Sequence, residues 1–442
     1  MSSNGARRVL IVTFEFPPSG GGGVQRMAKF ARYLPEGGWT PVVVAAEPVV
    51  GRPRDDSLVS EVAHVQVVRT PSRHPSVAIA SAIAPIKRLV RGTPAPVGSE
   101  GAATKPPADG RVSLSARIAR RITSDDAQLW VDSAVKSALA VAAETPVDAV
   151  LASGPPFTVT EAGRRIASKL GVPLVVDLRD AWRDNPVAYY PSSAARKRSV
   201  ELQRRVMAAA TVVTATTPAI VAEAAEMGAA RVEHLPNGYD PDDLSPWAPR
   251  PGALRLAFMG KVYRGHSDPW PLLDALGELK RRRPELEVTL EFIGERPAGV
   301  AEAATARGIG SAVSFTGYLP HHVAVRRLAG ADVAVQLIAD RPGAGAAIGG
   351  KVFEYLAVGI PVLVIGPAAG ETAELVERVR GGVVVQPGDT DAIAAAVERY
   401  ADAKATGALE HDPDRAAIER YDRCQVALDL ARVLDSTTES GS

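Results

Sequence analysis

GGKVFEYLAVGIPV, Gly349 to Val362, passes from a loop through a helix into a strand. Just upstream, RPGAGAAIGG (Arg341 to Gly350) is rich in glycine, and KVFEYLAV (Lys351 to Val358) then sets Val352, Phe353, Leu356 and Ala357 at helical spacing for burial. Gly359 suits the left-handed conformation that ends a helix, and Pro361 blocks its continuation. A glycine loop that opens a helix exposes backbone N–H groups where the helix dipole favours negative charge. The segment therefore reads as a seat for a pyrophosphate, built on Gly349 and Gly350. Lys351 and Glu354 lie one turn apart on one face, so the ammonium is expected to meet phosphate and the carboxylate to accept from ribose hydroxyls. A plain tight loop with a surface ion pair is the alternative.

Working outward, the strand IPVLVIG (Ile360 to Gly366) has companions in LRLAFMG (Leu254 to Gly260), LEVTLEFIG (Leu286 to Gly294), VSFTG (Val313 to Gly317), ADVAVQLI (Ala331 to Ile338) and GVVVQ (Gly382 to Gln386). The first half repeats the rhythm in VLIVT (Val9 to Thr13), PVVVA (Pro41 to Ala45), DAVLAS (Asp148 to Ser153), PLVVDL (Pro173 to Leu178) and TVVTAT (Thr211 to Thr216). Continuous apolar strands alternating with helices indicate parallel sheets covered on both faces. The fold class is α/β, with two facing doubly wound parallel-sheet domains. PNGYDPDDLSPWAPRPGA, Pro236 to Ala253, carries five prolines and two glycines and is the natural boundary. An acceptor-binding domain over 1–245 and a donor-binding domain over 246–411 are expected. A helical stretch from Asp412 to about Leu434, within the segment 412–442, is expected to return to the first domain. Ligands of such sheets bind beyond the carboxyl ends of the strands, which places the site in the cleft between the domains.

Composition narrows the partners. The 442 residues carry 51 Lys and Arg against 50 Asp and Glu, so there is no basic excess of the kind that wraps nucleic acid. Cys424 is the single cysteine and is expected to be a bystander in a reducing, cytoplasmic setting. The start, MSSNGARRVLIVTFEF, has only a strand-length apolar run and is not expected to be a signal peptide. The longest apolar stretch elsewhere, VAIASAIAPI (Val77 to Ile86), falls short of the ~20 residues a spanning helix needs. GTPAPVGSEGAATKPPADG, Gly92 to Gly110, reads as a mobile loop. Around it, residues 73–121 hold nine Lys or Arg and two acids interleaved with apolar residues. That pattern suits peripheral contact with the inner face of an anionic membrane or a lipid-linked acceptor, or else a solvated insertion.

Three further segments carry chemistry. GKVYRG, Gly260 to Gly265, places Lys261 and Arg264 at the carboxyl end of the first strand of the second domain, where they are expected to neutralise a diphosphate and stabilise its departure. SGGGGVQR, Ser19 to Arg26, follows the first strand and lets a ligand approach the backbone closely at Gly22 and Gly23. It has neither the spacing of a dinucleotide fingerprint nor the ending of a triphosphatase loop. DLRDAW, Asp177 to Trp182, ends a strand, so Asp177, Arg179 and Asp180 are expected to face the cleft on the acceptor side. Arg179 and Asp180 simply pairing with each other is the alternative.

Together these segments, with SGPPFT (Ser153 to Thr158) and PNGYD (Pro236 to Asp240), resemble the retaining glycosyltransferases of family 4, which have the GT-B fold. The resemblance covers nearly the whole length. It implies a nucleotide-diphosphate sugar as donor, an acceptor of unknown identity, retention at the anomeric carbon, and a role in cell-surface polysaccharide or glycoconjugate biosynthesis. Lys261 and Arg264 match the paired cations on the donor diphosphate, Glu354 the second glutamate of the signature, and Gly22 and Gly23 the loop near sugar and acceptor. In two places the chain departs from the pattern. The acid eight positions before Glu354 is replaced by Ala346, and the acceptor-side histidine of many members gives way to Arg179.

No metal and no other cofactor are expected. Asp240 with Asp242, and Asp389 with Asp391, have the spacing of a divalent-ion pair but read as turn and cap chemistry. The seven histidines show no zinc spacing, and His321 and His322 are expected in a loop. Two competing readings are a catalytically degenerate sugar-nucleotide-binding partner, prompted by Ala346, and a nucleotide-sugar epimerase.

Overall fold

The computed structural model describes residues 7–48, 54–72, 125, 127–185, 190, 192–248 and 250–439. The basic region 73–121, with the loop 92–110 inside it, lies outside the described residues. The first sheet comprises β1 (Arg7–Thr13), β2 (Trp39–Ala46), β3 (Gln66–Thr70), β4 (Ala149–Gly154), β5 (Leu174–Leu178), β6 (Val212–Ala215) and β7 (Val232–His234). The second comprises β8 (Leu254–Met259), β9 (Val288–Ile293), β10 (Val313–Phe315), β11 (Val333–Leu337), β12 (Val362–Ile365) and β13 (Gly382–Val385). Their orders are β3-β2-β1-β4-β5-β6-β7 and β10-β9-β8-β11-β12-β13, and the paired strands run parallel. The expected α/β class with two doubly wound sheets is what the structure contains.

In each sheet the strand order reverses once, between β1 and β4 and between β8 and β11. The loops on either side of a reversal diverge to opposite faces and leave a crevice at the carboxyl ends, where ligands of such sheets bind. Alternation along β1 explains how both faces are covered. Leu10 and Val12 join one core with helices Val131–Glu144 and Thr158–Leu170, while Val9 and Ile11 join another with helix Gly22–Tyr33. That second core also takes Val426, Ala427, Leu430, Ala431 and Leu434 from the last helix, Arg423–Glu439.

The chain thus crosses between the sheets twice. The two crossings are bonded to each other: Tyr239 N–H donates to the Tyr421 carbonyl and Arg423 N–H to the Tyr239 carbonyl, both at 2.9 Å. A Cβ on Gly238 would fall 2.0 Å from the Tyr421 oxygen, so only glycine permits this approach. Among the described residues no helix is long and apolar enough to cross a membrane.

Candidate functional site

The helix Gly350–Val358 starts at the carboxyl edge of the second sheet, with Gly349 as its N-cap and Gly359 ending it at a φ of 82°. Its inward residues Val352, Phe353, Tyr355 and Leu356 are buried. Tyr355 fixes the helix to the end of β8, its hydroxyl accepting from the Met259 N–H at 3.0 Å. That strand end leads directly into GKVYRG, so the two candidate diphosphate elements are joined across the β8–β11 reversal. A Cβ placed on Gly260 would lie 4.0 Å from Lys351 Cδ. Lys261 and Arg264 are exposed there, with Lys261 Nζ 3.3 Å from Glu295.

Lys351 does not point freely outward. Its Nζ sits 3.5 Å from the centroid of the buried Phe258 ring, and burial drives its pKa down to about 7 against a smaller opposing pull from Glu354. Glu354 is 6% exposed, and its Oε1 lies 3.0 Å from His321 Nε2. Burial pushes the Glu354 carboxyl up, but the His321 imidazole outweighs this and holds it below the usual glutamate range. In return burial lowers His321, while Glu354 and then Asp243 more than compensate, so its pKa stands above the ordinary histidine value. The expectation that His321 and His322 belong to a loop is corrected. They open the helix His321–Leu328, where His321 N–H is bonded by Asp55 Oδ2 of the first domain at 3.3 Å.

On the other side of the cleft, Gly22 and Gly23 are the first residues of the helix after β1. The Arg179 guanidinium donates to the carbonyls of Gly23, Pro155 and Gly154. It therefore laces together the loops after β1 and β4, the pair flanking the reversal in the first sheet. Asp177 does not reach the cleft. It is fully buried, and its carboxylate accepts from Arg26 Nη2 at 2.8 Å, Ser153 Oγ at 2.7 Å and Thr214 Oγ1 at 2.9 Å. A carboxylate so surrounded stays ionised in spite of burial, and its pKa is lowered. It anchors Arg26, which also donates to the carbonyls of Leu235 and Pro236 at the start of the linker. Asp180 is half-buried, and burial raises its pKa against the pull of Arg179. Among the described residues none hydrogen-bonds its carboxylate.

The two halves touch on both flanks of the cleft. Thr217 Oγ1 donates to the Ala346 carbonyl at 2.7 Å, and Ala219 N–H to Glu371 Oε1 at 2.8 Å. Tyr318 reaches back from the second domain to the Arg54 carbonyl at 3.2 Å. Thr217, Tyr318, Glu371 and the His321–Glu354 pair escaped the sequence reading, because each depends on a partner from a distant segment. The aspartate pairs are engaged elsewhere: Asp240 holds Lys29 at 2.5 Å, Asp242 pairs with Arg32, and Asp389 caps a helix through the Ala392 N–H at 2.9 Å. Among the described residues no group of three or more His, Cys, Asp or Glu is placed to hold a metal ion.

Two facing doubly wound sheets with helix N-termini and cations at the reversals define a GT-B architecture. Family models agree: residues 21–238 match the glycosyl transferase 4-like domain and residues 253–403 the glycosyl transferases group 1. The chain belongs to the glycosyltransferases of GT-B type. A search of curated proteins finds no significant match. Among solved structures, a sucrose-phosphate synthase of Thermosynechococcus elongatus superposes with a TM-score of 0.67 at 14% identity, over 99% of this chain and 100% of that one. The lipopolysaccharide outer core galactosyltransferase WaaB gives 0.58 at 12% identity, over 97% and 99%. A protein described as a UDP-N-acetylglucosamine 2-epimerase, from Listeria monocytogenes, gives 0.58 at 14% identity, over 99% and 98%.

Proposed function

We propose that this protein transfers a sugar from a nucleoside-diphosphate sugar to an acceptor hydroxyl with retention of configuration and without a metal, in the biosynthesis of a cell-surface polysaccharide or glycoconjugate. One observation carries the reading: the N-terminus of helix Gly350–Val358 and the loop bearing Lys261 and Arg264 converge at the β8–β11 reversal, held together by the Tyr355–Met259 bond. The diphosphate lies on the helix N–H groups between Lys351, Lys261 and Arg264, and Glu354 takes the ribose hydroxyls. As the bond from the anomeric carbon to the diphosphate oxygen breaks, these cations and dipoles stabilise the growing charge. The acceptor oxygen attacks from the face the diphosphate leaves, and its proton passes to the departing phosphate oxygen. The glycine run at Gly22 and Gly23 and the carboxylate of Asp180 border the acceptor.

The named neighbours include two enzymes that join sugars and one described as an epimerase, so the architecture alone leaves the chemistry open. A thermal-shift screen with nucleoside diphosphates and their sugars, with chelator present, identifies the donor. Lys261→Ala and Glu354→Ala should each abolish the shift. If both variants bind as the parent does, the donor site is misplaced; a bound sugar nucleotide with neither hydrolysis nor transfer would instead favour the degenerate partner suggested by Ala346. For the acceptor, we propose a lipid-linked molecule at the cytoplasmic membrane face, met by region 73–121. Flotation with anionic against neutral vesicles tests it, and equal flotation rejects it.

A further inference from the structure

The four consecutive glycines Gly20 to Gly23 cannot hold a shape by themselves, because glycine loses more backbone freedom on ordering than any other residue. The shape of the run is set by what lies against it. Its start is joined to a short strap at Arg54 and Asp55: Ser19 and Arg54 form an antiparallel bridge, and the Asp55 N–H donates to the Pro18 carbonyl at 2.9 Å. The second domain grips this strap at two points. The Tyr318 hydroxyl donates to the Arg54 carbonyl at 3.2 Å, and the His321 N–H donates to the buried Asp55 carboxylate at 3.3 Å. Tyr318 also reaches the run itself, since a Cβ on Gly20 would fall 2.7 Å from its hydroxyl oxygen. The other end of the clasp is fixed to the diphosphate side. Tyr318 follows β10, and two residues before it Thr316 Oγ1 accepts from the Gly294 N–H at 3.1 Å. Gly294 backs in turn onto the Gly260 carbonyl that opens GKVYRG. Short steps of contact therefore connect the loop bearing Lys261 and Arg264 with the glycine run on the far side of the cleft.

Resting on the transferase reading above, we propose that Tyr318 is a positioning residue for the transfer. From the donor domain it sets the glycine run that borders the acceptor, so the acceptor half of the site takes its working shape only against the donor half. In this role Tyr318 touches neither diphosphate nor acceptor; it acts through Gly20 and the strap. With 46% of the side chain exposed, burial contributes little to its place, and the hydroxyl at its tip makes the connection. The bond between Asp55 and the His321 N–H is the second grip and keeps the strap from pivoting about the first. Removing the Tyr318 hydroxyl therefore leaves the diphosphate seat intact and unsettles the run opposite.

Amide hydrogen exchange of the full chain and of Tyr318→Phe, followed in peptides covering 17–26 and 349–358, tests the assignment. It is paired with calorimetric titration of UDP, GDP and ADP and with hydrolysis rates of UDP-glucose, GDP-mannose and ADP-glucose. In Tyr318→Phe the glycine run should exchange about fivefold faster, the effect of one lost hydrogen bond, while exchange in 349–358 and diphosphate affinity stay within about twofold of the parent. For the conjugate that the parent hydrolyses, kcat should fall about fivefold and KM stay within about twofold. Gly20→Ala presses on the same hydroxyl from the other domain and should copy these effects. Added to Tyr318→Phe, where that oxygen is gone, it should change nothing further. Unchanged exchange in the run overturns the proposal, and so do additive effects in the double variant. Faster exchange with an unchanged kcat means a structural contact only and overturns it as well. If the parent binds no diphosphate and hydrolyses no conjugate, the donor reading itself has failed, and the exchange and double-variant results alone then decide for or against Tyr318.

Discussion

Lys351 is a cation whose charge depends on its ligand. Its pKa of about 7 lies below the ordinary 10.5, so between those values the unfolded chain holds a proton that the folded chain has released. Stability tied to this group therefore rises with pH across that window, falls as pH drops from 10.5 toward 7, and levels off below about 7, where both states hold the proton. A diphosphate set against the amine reverses the balance by favouring the charged form. At pH 8, binding of a nucleoside diphosphate should take up close to ~1 proton, read from calorimetry in buffers of different ionisation enthalpy. Lys351→Met should take up none. Beside it, His321→Phe removes the donor that holds Glu354, and nucleoside diphosphate affinity should fall about tenfold, with much of it restored in His321→Gln. Equal affinity in His321→Phe and the parent would show that the pair is incidental. Glu354 was legible in the sequence through its place in the signature and its spacing from Lys351. His321 was not, because its meaning comes from a carboxylate thirty-odd positions away along the chain and from Asp55 in the other domain.

At the scale of elements, buried ion pairs and close backbone approaches decide which loops can stand where. Arg26 and Asp177 are 4% and 0% exposed, and removing one partner strands a charge in the core. Asp177→Ala should destabilise the first domain by about 3–5 kcal/mol in urea melts, against much less for an exposed acid. Full stability in the variant would refute the anchoring role. Gly294 adopts a φ of 151°, and a Cβ there would meet the Gly260 carbonyl oxygen at 2.5 Å. Gly294→Ala should push the GKVYRG loop aside and weaken diphosphate binding while the fold survives, as a paired affinity and melting measurement would reveal. The strands that run through both cores were readable because they are unbroken apolar runs. β3 and β7 were passed over: Gln66–Thr70 is only partly buried, and Val232–His234 is three residues long. Asp177 was misplaced for a related reason. The last two residues of a strand look alike in sequence whether they point into the crevice or into the layer beside it.

For the molecule as a whole, the last helix belongs to the second half by order and to the first by packing. Truncation before Arg423 would uncover the apolar face formed by Val9, Ile11, Met27, Phe30 and Trp39, and the shortened chain should aggregate or expose dye-binding surface. A soluble, cooperatively melting product would contradict that role. Across the cleft, Thr217→Val removes the bond to Ala346 and also the cap that the same hydroxyl gives the Ile220 N–H. It should therefore increase the radius of gyration in solution scattering and lower the melting temperature modestly, in line with the loss of about 1 kcal/mol that a missing N-cap costs. The prolines of the segment between β7 and β8 suggest a boundary, but its pairing with residues near Tyr421 could not be read, since that depends on where the chain returns.

That pairing has a mechanical result. A single tether between two bodies acts as a ball joint and allows them to roll, twist and swing. Here two tethers run side by side and are bonded at Tyr239, Tyr421 and Arg423, much as two knuckles share one pin. Rolling and twisting would have to break those bonds, whereas swinging would not. The motion expected to cost least is therefore a rotation about one line, which would bring the cations of one face back to the same position opposite the glycines of the other.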